Sequence, residues 1–179
     1  RLRAPLRALF KPLIDDRTHF FAGRRAFFEA IMRFAAGEQG GYLALTAPPG
    51  FGKTALIANL VAATPEAFAY HFFAPVYGDE TLAEKFFLQN VVQQMAAWHG
   101  HGAELPEALN ELRALYQEFV DTPLQHQQVL ILDGVDEVTQ WPLAPYLSRR
   151  LPAHLHIVVS VRDVGQDWRG EYALPADQL

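Results

Sequence analysis

The sequence predicts an α/β fold, a three-layer α/β/α sandwich around a mostly parallel, five-stranded sheet. Three observations predict it. Segments with strand character alternate with segments of helical periodicity along the whole chain. Val129–Leu132 is continuously apolar and Leu155–Val161 nearly so, as expected of strands covered on both faces. The apolar run Tyr42–Thr46 passes through a glycine-bearing turn straight into a helical segment. With 179 residues, half of them apolar, the chain has the length for one domain with a substantial core.

Taken in order, residues 1–17 read as an N-terminal linker or short helix. Leu2, Leu6, Leu9 and Phe10 share helical spacing, and Pro12 with Asp15 and Asp16 is expected to interrupt it. The domain proper is expected over residues 18–179. A helix over 26–36 puts Phe27, Phe28, Ile31 and Phe34 on one face, and Gly37, Gly40 and Gly41 end it. The first strand is expected over 42–46 and the next helix up to about Ala63, with Pro65 beyond it. Aromatic-rich Phe68–Phe73 reads as the second strand. Helices follow over about 81–99 and 106–120, divided at Gly100–Gly102. The third strand is 129–132. A short helix carrying Trp141 and Tyr146 follows, then the fourth strand, 155–161. Tyr172–Leu174 reads as the fifth.

The stretch Ala47–Thr54 (APPGFGKT) follows a strand and opens a helix, which is the context of a phosphate-binding loop. Backbone N–H groups at a helix N-terminus converge on one point and carry partial positive charge. Lys53 adds a full charge for the outer phosphates, and Thr54 can complete the shell of a magnesium ion. Pro49, Gly50, Phe51, Gly52, Lys53, Thr54 and Ala55 are therefore the nucleotide-binding candidates. Alanine stands where the usual pattern begins with glycine. The competing reading is a Pro/Gly turn that happens to precede a lysine.

The run Val129–Leu132 ends in Asp133, followed by Gly134, Val135, Asp136 and Glu137. Four apolar residues and an aspartate make the magnesium-side element of P-loop NTPases. Asp133 and Thr54 are the metal candidates. Asp136 or Glu137 can position and polarise an attacking water. Arg162 ends another strand, where it can sense or stabilise the γ-phosphate. Lys53, Asp136, Glu137 and Arg162 form the catalytic set. Each has a duller alternative: an acidic helix-capping turn for the acids, a surface pair with Asp163 for Arg162. Two strand tips with matched chemistry in the right order favour the NTPase reading. The fold class then sharpens to the P-loop NTPase fold, with ATP or ADP and Mg2+ as cofactors.

Composition narrows the alternatives. The net charge is -5, which argues against a general nucleic-acid partner, although Arg and Lys crowd the first 33 positions. Cysteine is absent, so there is no disulfide and no thiolate metal site, in keeping with a reducing, cytoplasmic setting. No apolar run reaches membrane-spanning length. The seven histidines lack metal-site spacing, and His71 reads as a satisfied core histidine. Neither serine, Ser148 or Ser160, lies in a nucleophile-elbow sequence.

These residues together resemble the NACHT branch of the STAND class of P-loop ATPases over roughly residues 18–175. Phe20–Arg24 is similar to the family's leading motif on the adenine side of the nucleotide, which implies a nucleotide contact for Arg24. Pro49–Thr54 resembles its phosphate loop, and Asp133–Glu137 its D-G-h-D-E signature. Ser160-Val161-Arg162 is similar to its T-S-R sensor segment, with valine in place of the middle serine. The resemblance implies a regulatory ATPase that is closed with ADP and oligomeric with ATP. It also implies an effector domain before the chain, and a lid and a winged helix after it. Two alternatives stay open: a nucleotide-dependent scaffold with little hydrolysis, and an AAA+ type motor or loader. The last calls for an acid directly after Asp133 and a basic surface.

Overall fold

In the computed structural model the described residues are 6–18, 25–64, 67–102, 104–147 and 150–163. Four strands form one sheet: β1 (Gly41–Ala47), β2 (Phe68–Phe72), β3 (Gln128–Asp133) and β4 (Leu155–Arg162). Their order is β1-β4-β3-β2, and every neighbouring pair is parallel. The expected count of five strands is corrected to four among the described residues. The expected fifth, 172–174, lies outside them, as does the leading segment 20–24.

Among the described residues five α-helices cover the sheet: α1 (Lys11–Thr18), α2 (Arg25–Ala35), α3 (Lys53–Ala63), α4 (Glu84–Met95) and α5 (Leu109–Asp121). Alternation along β3 shows the layering. Val129 and Ile131 face a core built with Leu56, Ile57 and Leu60 of α3, whereas Leu130 and Leu132 face one built with Phe87, Val91 and Tyr116 of α4 and α5. Both faces are covered, so β3 needs no polar alternation.

Three expectations about helices are revised. Pro12 does not interrupt the N-terminal segment. A 3-10 turn over Leu6–Phe10 leads into α1, and Pro12 is its second residue, where a missing N–H costs no helical bond. Phe10 and Leu13 are fully buried, which anchors this segment on the core. The expected helix over 81–99 is shorter, because Ala83 is extended at φ -77°, ψ 129° and Ala96–His99 tightens into a 3-10 turn, which stops at Gly100 as expected. The expected helix near Trp141 is only a 3-10 turn, Ala144–Tyr146, since Pro142 and Pro145 each remove a donor.

Candidate functional site

The site lies at the carboxyl end of the sheet, where an open α/β sheet leaves its crevice. β4 is inserted between the strand that feeds the phosphate loop and the strand that ends in Asp133. The pairing of Leu45 with Ser160 and of Ala47 with Arg162 brings the tip of β4 level with the start of the loop. Three strand tips therefore converge on a cleft of ≈ 370 Å³.

Within the loop, Gly50 and Gly52 have φ of 80° and 76°. A Cβ built on Gly50 meets nothing within 4 Å, so the backbone there borders open space. Gly52 is the N-cap of α3 and offers no side-chain acceptor to the first-turn N–H groups. A helix start without a side-chain cap is a place where an anion can be held. Lys53 Nζ donates to the Ala47 carbonyl at 2.6 Å, which holds the ammonium across the loop. Pro49, Gly50, Gly52, Lys53, Thr54 and Ala55 all line the cleft. Phe51 does not, and its residue surface is 57% exposed.

Asp133 is 3% exposed. Burial pushes its carboxyl up, while hydrogen bonds from Ser160 and Thr54 and the Lys53 charge pull it back down. The Ser160 hydroxyl donates to Asp133 Oδ1 and accepts the Gly134 N–H at 2.9 Å. Ser160 therefore fixes the Asp133 carboxylate, a role that sequence reading did not assign. The pairing of Leu132 with Val159 carried one step on puts Asp133 level with Ser160, a polar pair at two adjoining strand tips. That register was the missing signal.

Gly134 has φ 75°, and a Cβ there would stand 2.8 Å from the Phe73 carbonyl oxygen. This position accepts glycine and nothing larger without a backbone shift. The chain then makes a 3-10 turn, Val135–Glu137. It aims both acids at β4. Asp136 accepts the Arg162 backbone N–H at 3.2 Å and pairs with Arg162 Nε. Glu137 accepts Arg162 Nη2 at 2.9 Å. Arg162 is thus held by both acids, and all three line the cleft with Lys53 and Thr54. Arg24 lies outside the described residues.

A further wall comes from residues 73–77 after β2, together with Leu13 and Arg17. His71 braces it. Its Nε2 donates to the Thr81 carbonyl at 2.8 Å and its Nδ1 accepts from Asn90 at 3.1 Å. Burial pushes this imidazole down to about 4, so it is neutral and its two nitrogens have distinct roles. Thr81 Oγ1 in turn accepts the Ala74 N–H at 3.1 Å. His71 is therefore a satisfied core histidine that shapes the cleft from behind.

The residues fit a nucleotide phosphate chain with magnesium. The loop supplies uncapped N–H donors beside open space, and the buried Asp133 carboxylate adjoins the Thr54 hydroxyl. Among the described residues no helix is long and apolar enough to cross a membrane.

No protein-family model and no curated protein matches the chain. Among solved structures it is similar to the crystal structure of Cdc6p from Pyrobaculum aerophilum, at TM-score 0.51 and 13% identity. The match covers 96% of this chain and 48% of that one, so the chain spans about half the length of the structure it matches. At such identity the likeness is one of fold. Together with the parallel sheet and the loop at its carboxyl edge, it gives this chain a P-loop NTPase-like fold.

Proposed function

We propose that this chain is the nucleotide-binding core of a regulatory P-loop ATPase of the NACHT type, in the STAND class. It takes ATP or ADP with Mg2+ and hydrolyses ATP slowly. The observation that carries this reading is the turn after Asp133. Gly134 admits no side chain, and the two acids beyond it are gripped by Arg162 at the edge of the same cleft as Lys53 and Thr54. A D-G-h-D-E turn therefore has a physical reason for its glycine here.

The roles follow from the contacts. Lys53 and the first N–H groups of α3 bind phosphate oxygens. Thr54 and Asp133 would hold magnesium, with Ser160 fixing Asp133. Magnesium, when bound, supplies charge neutralisation at the outer phosphates. Asp136 grips both the backbone and the side chain of Arg162, so it orients that arginine. Glu137 makes one contact to it, and its side chain is 34% exposed, which leaves a carboxylate oxygen to accept a proton from water. Arg162 stabilises charge at the terminal phosphate. On this reading ATP favours homo-oligomers of the full protein in the cytoplasm.

The test is magnesium-dependent binding of fluorescent ATP and ADP. Wild type is expected to bind both, and Lys53→Ala to lose at least about tenfold in affinity. No binding by wild type, even with the expected lid and winged helix appended, removes the assignment. Turnover and assembly both unaffected by joint Asp136→Asn and Glu137→Gln would favour the scaffold reading. The likeness to Cdc6p serves an AAA+ type motor or loader equally well as a fold. ATPase activity stimulated by nucleic acid would select that second reading. The tight space at Gly134 and the net charge of -5 speak against it.

A further inference from the structure

Helix α1 brings a cation to the cleft from outside the phosphate loop and the acidic turn. The segment before it is fixed: the Phe10 ring packs edge-on to His71 at 5.2 Å and against Phe72 at 5.4 Å. The Leu6 N–H donates to Gln93 Oε1 at 2.8 Å. α1 then runs along α3, the helix that starts at the phosphate loop. Its last turn delivers Arg17 to the cleft that Lys53, Thr54 and Ala55 also line.

Arg17 is held loosely. Its Nε lies 3.7 Å from Asp16 Oδ2, beyond hydrogen-bond reach, its other partner is the Tyr77 hydroxyl, and its side chain is 48% exposed. The same Asp16 oxygen already accepts the Tyr77 hydroxyl at 2.6 Å. An exposed pair of that length contributes little and is readily exchanged for a better anion. Arg162, by contrast, is committed to Asp136 and Glu137, and Lys53 donates back to Ala47. Arg17 can therefore turn to an incoming anion at lower cost than either.

We propose that Arg17 is a specificity residue for the triphosphate, pairing its guanidinium with the terminal phosphate of a magnesium-bound nucleoside triphosphate. This rests on the nucleotide reading above. A planar guanidinium pairs two N–H groups with two phosphate oxygens. A diphosphate lacks the group that Arg17 binds. The N-terminal helix, tied to the wall after β2 through Tyr77 and Asp16, thereby senses whether that phosphate is present.

The experiment is calorimetric titration of the chain with a non-hydrolysable ATP analogue and, separately, with ADP, each with Mg2+. Arg17→Ala is expected to weaken the triphosphate about tenfold and to leave ADP within about twofold. Arg17→Lys is expected to recover part of the loss, since it restores the charge without the fork. Equal loss for both nucleotides, or loss for neither, overturns the role of Arg17. Lys53→Ala separates the two ideas, because it should weaken both nucleotides. A wild-type chain that binds neither, also with the expected lid and winged helix appended, overturns the nucleotide reading itself.

Discussion

Arg113 and Arg162 form the same kind of bond in different surroundings. Arg113 on α5 grips Glu84 on α4 with two bonds, of 2.7 and 2.9 Å, and Nε also reaches the Tyr146 hydroxyl at 3.1 Å. Behind it stand the Phe87 and Trp141 rings, stacked at 5.6 Å, and Tyr116, whose hydroxyl donates to the Tyr146 carbonyl. Arg162 grips Asp136 and Glu137 at the edge of a cleft lined by Lys53, Thr54 and Asp133. The separations along the chain are alike, 29 residues for Arg113 with Glu84 and 26 for Arg162 with Asp136. An arginine held by carboxylates is thus a neutral sign. What it faces decides whether it ties helices together or serves a ligand.

The strongest way to break this contrast is Arg162→Ala. On the proposed function, ATP turnover falls about hundredfold. The melting temperature should change little. Phosphate release and a thermal melt on one preparation check it, and unchanged turnover with a lower melting temperature would reduce Arg162 to a second Arg113. Next in size is Gly134→Ala. A side chain at φ 75°, only 2.8 Å from the Phe73 carbonyl, costs about 2 kcal/mol by chemical denaturation. It should also displace the acidic turn and weaken nucleotide binding.

Tyr146→Phe tests the other arginine. It removes the hydroxyl shared by Glu84 and Arg113 and is expected to cost about 1 kcal/mol of stability. Nucleotide affinity should stay as in wild type, and a change there would join the two regions. The smallest effect is a pH dependence. Hydrogen bonds from Arg113 hold the Glu84 carboxyl below the usual carboxylate range. A lowered folded pKa means a contribution that is complete above the unfolded pKa and lost as pH falls through the folded one. Solvent screening keeps it below about 1 kcal/mol, and it should vanish from denaturation curves of Glu84→Gln.

Much of this was legible in the sequence where one residue type has one use. Apolar runs 129–132 and 155–161 became strands buried on both faces, and the glycines of the loop, Gly50 and Gly52, have positive φ. Pro12 misled because a proline reads as a breaker, while its cost depends on its place in the helix, and a first-turn proline costs no bond. Ser160 was hidden because its partner is set by sheet register, which needs the strand order β1-β4-β3-β2. The same order was needed to separate Asp136 from Glu137. In sequence they are adjacent acids, but one meets Arg162 through backbone and side chain, the other through a single nitrogen.

The insertion of β4 also bears on how the chain assembles during synthesis. Among the described strands, β1 has β4 as its only neighbour, and Gly41 pairs with His156. A ribosome makes the phosphate-loop strand early, yet its sheet partner emerges last of the four described strands. β2 and β3 can pair before that, but two strand edges stay open until residues 155–162 arrive. Such long-range parallel pairing is slow, and open edges invite wrong partners. Chains truncated before β4 should therefore aggregate rather than bind ligand, and the cleft is the final part of the sheet to form.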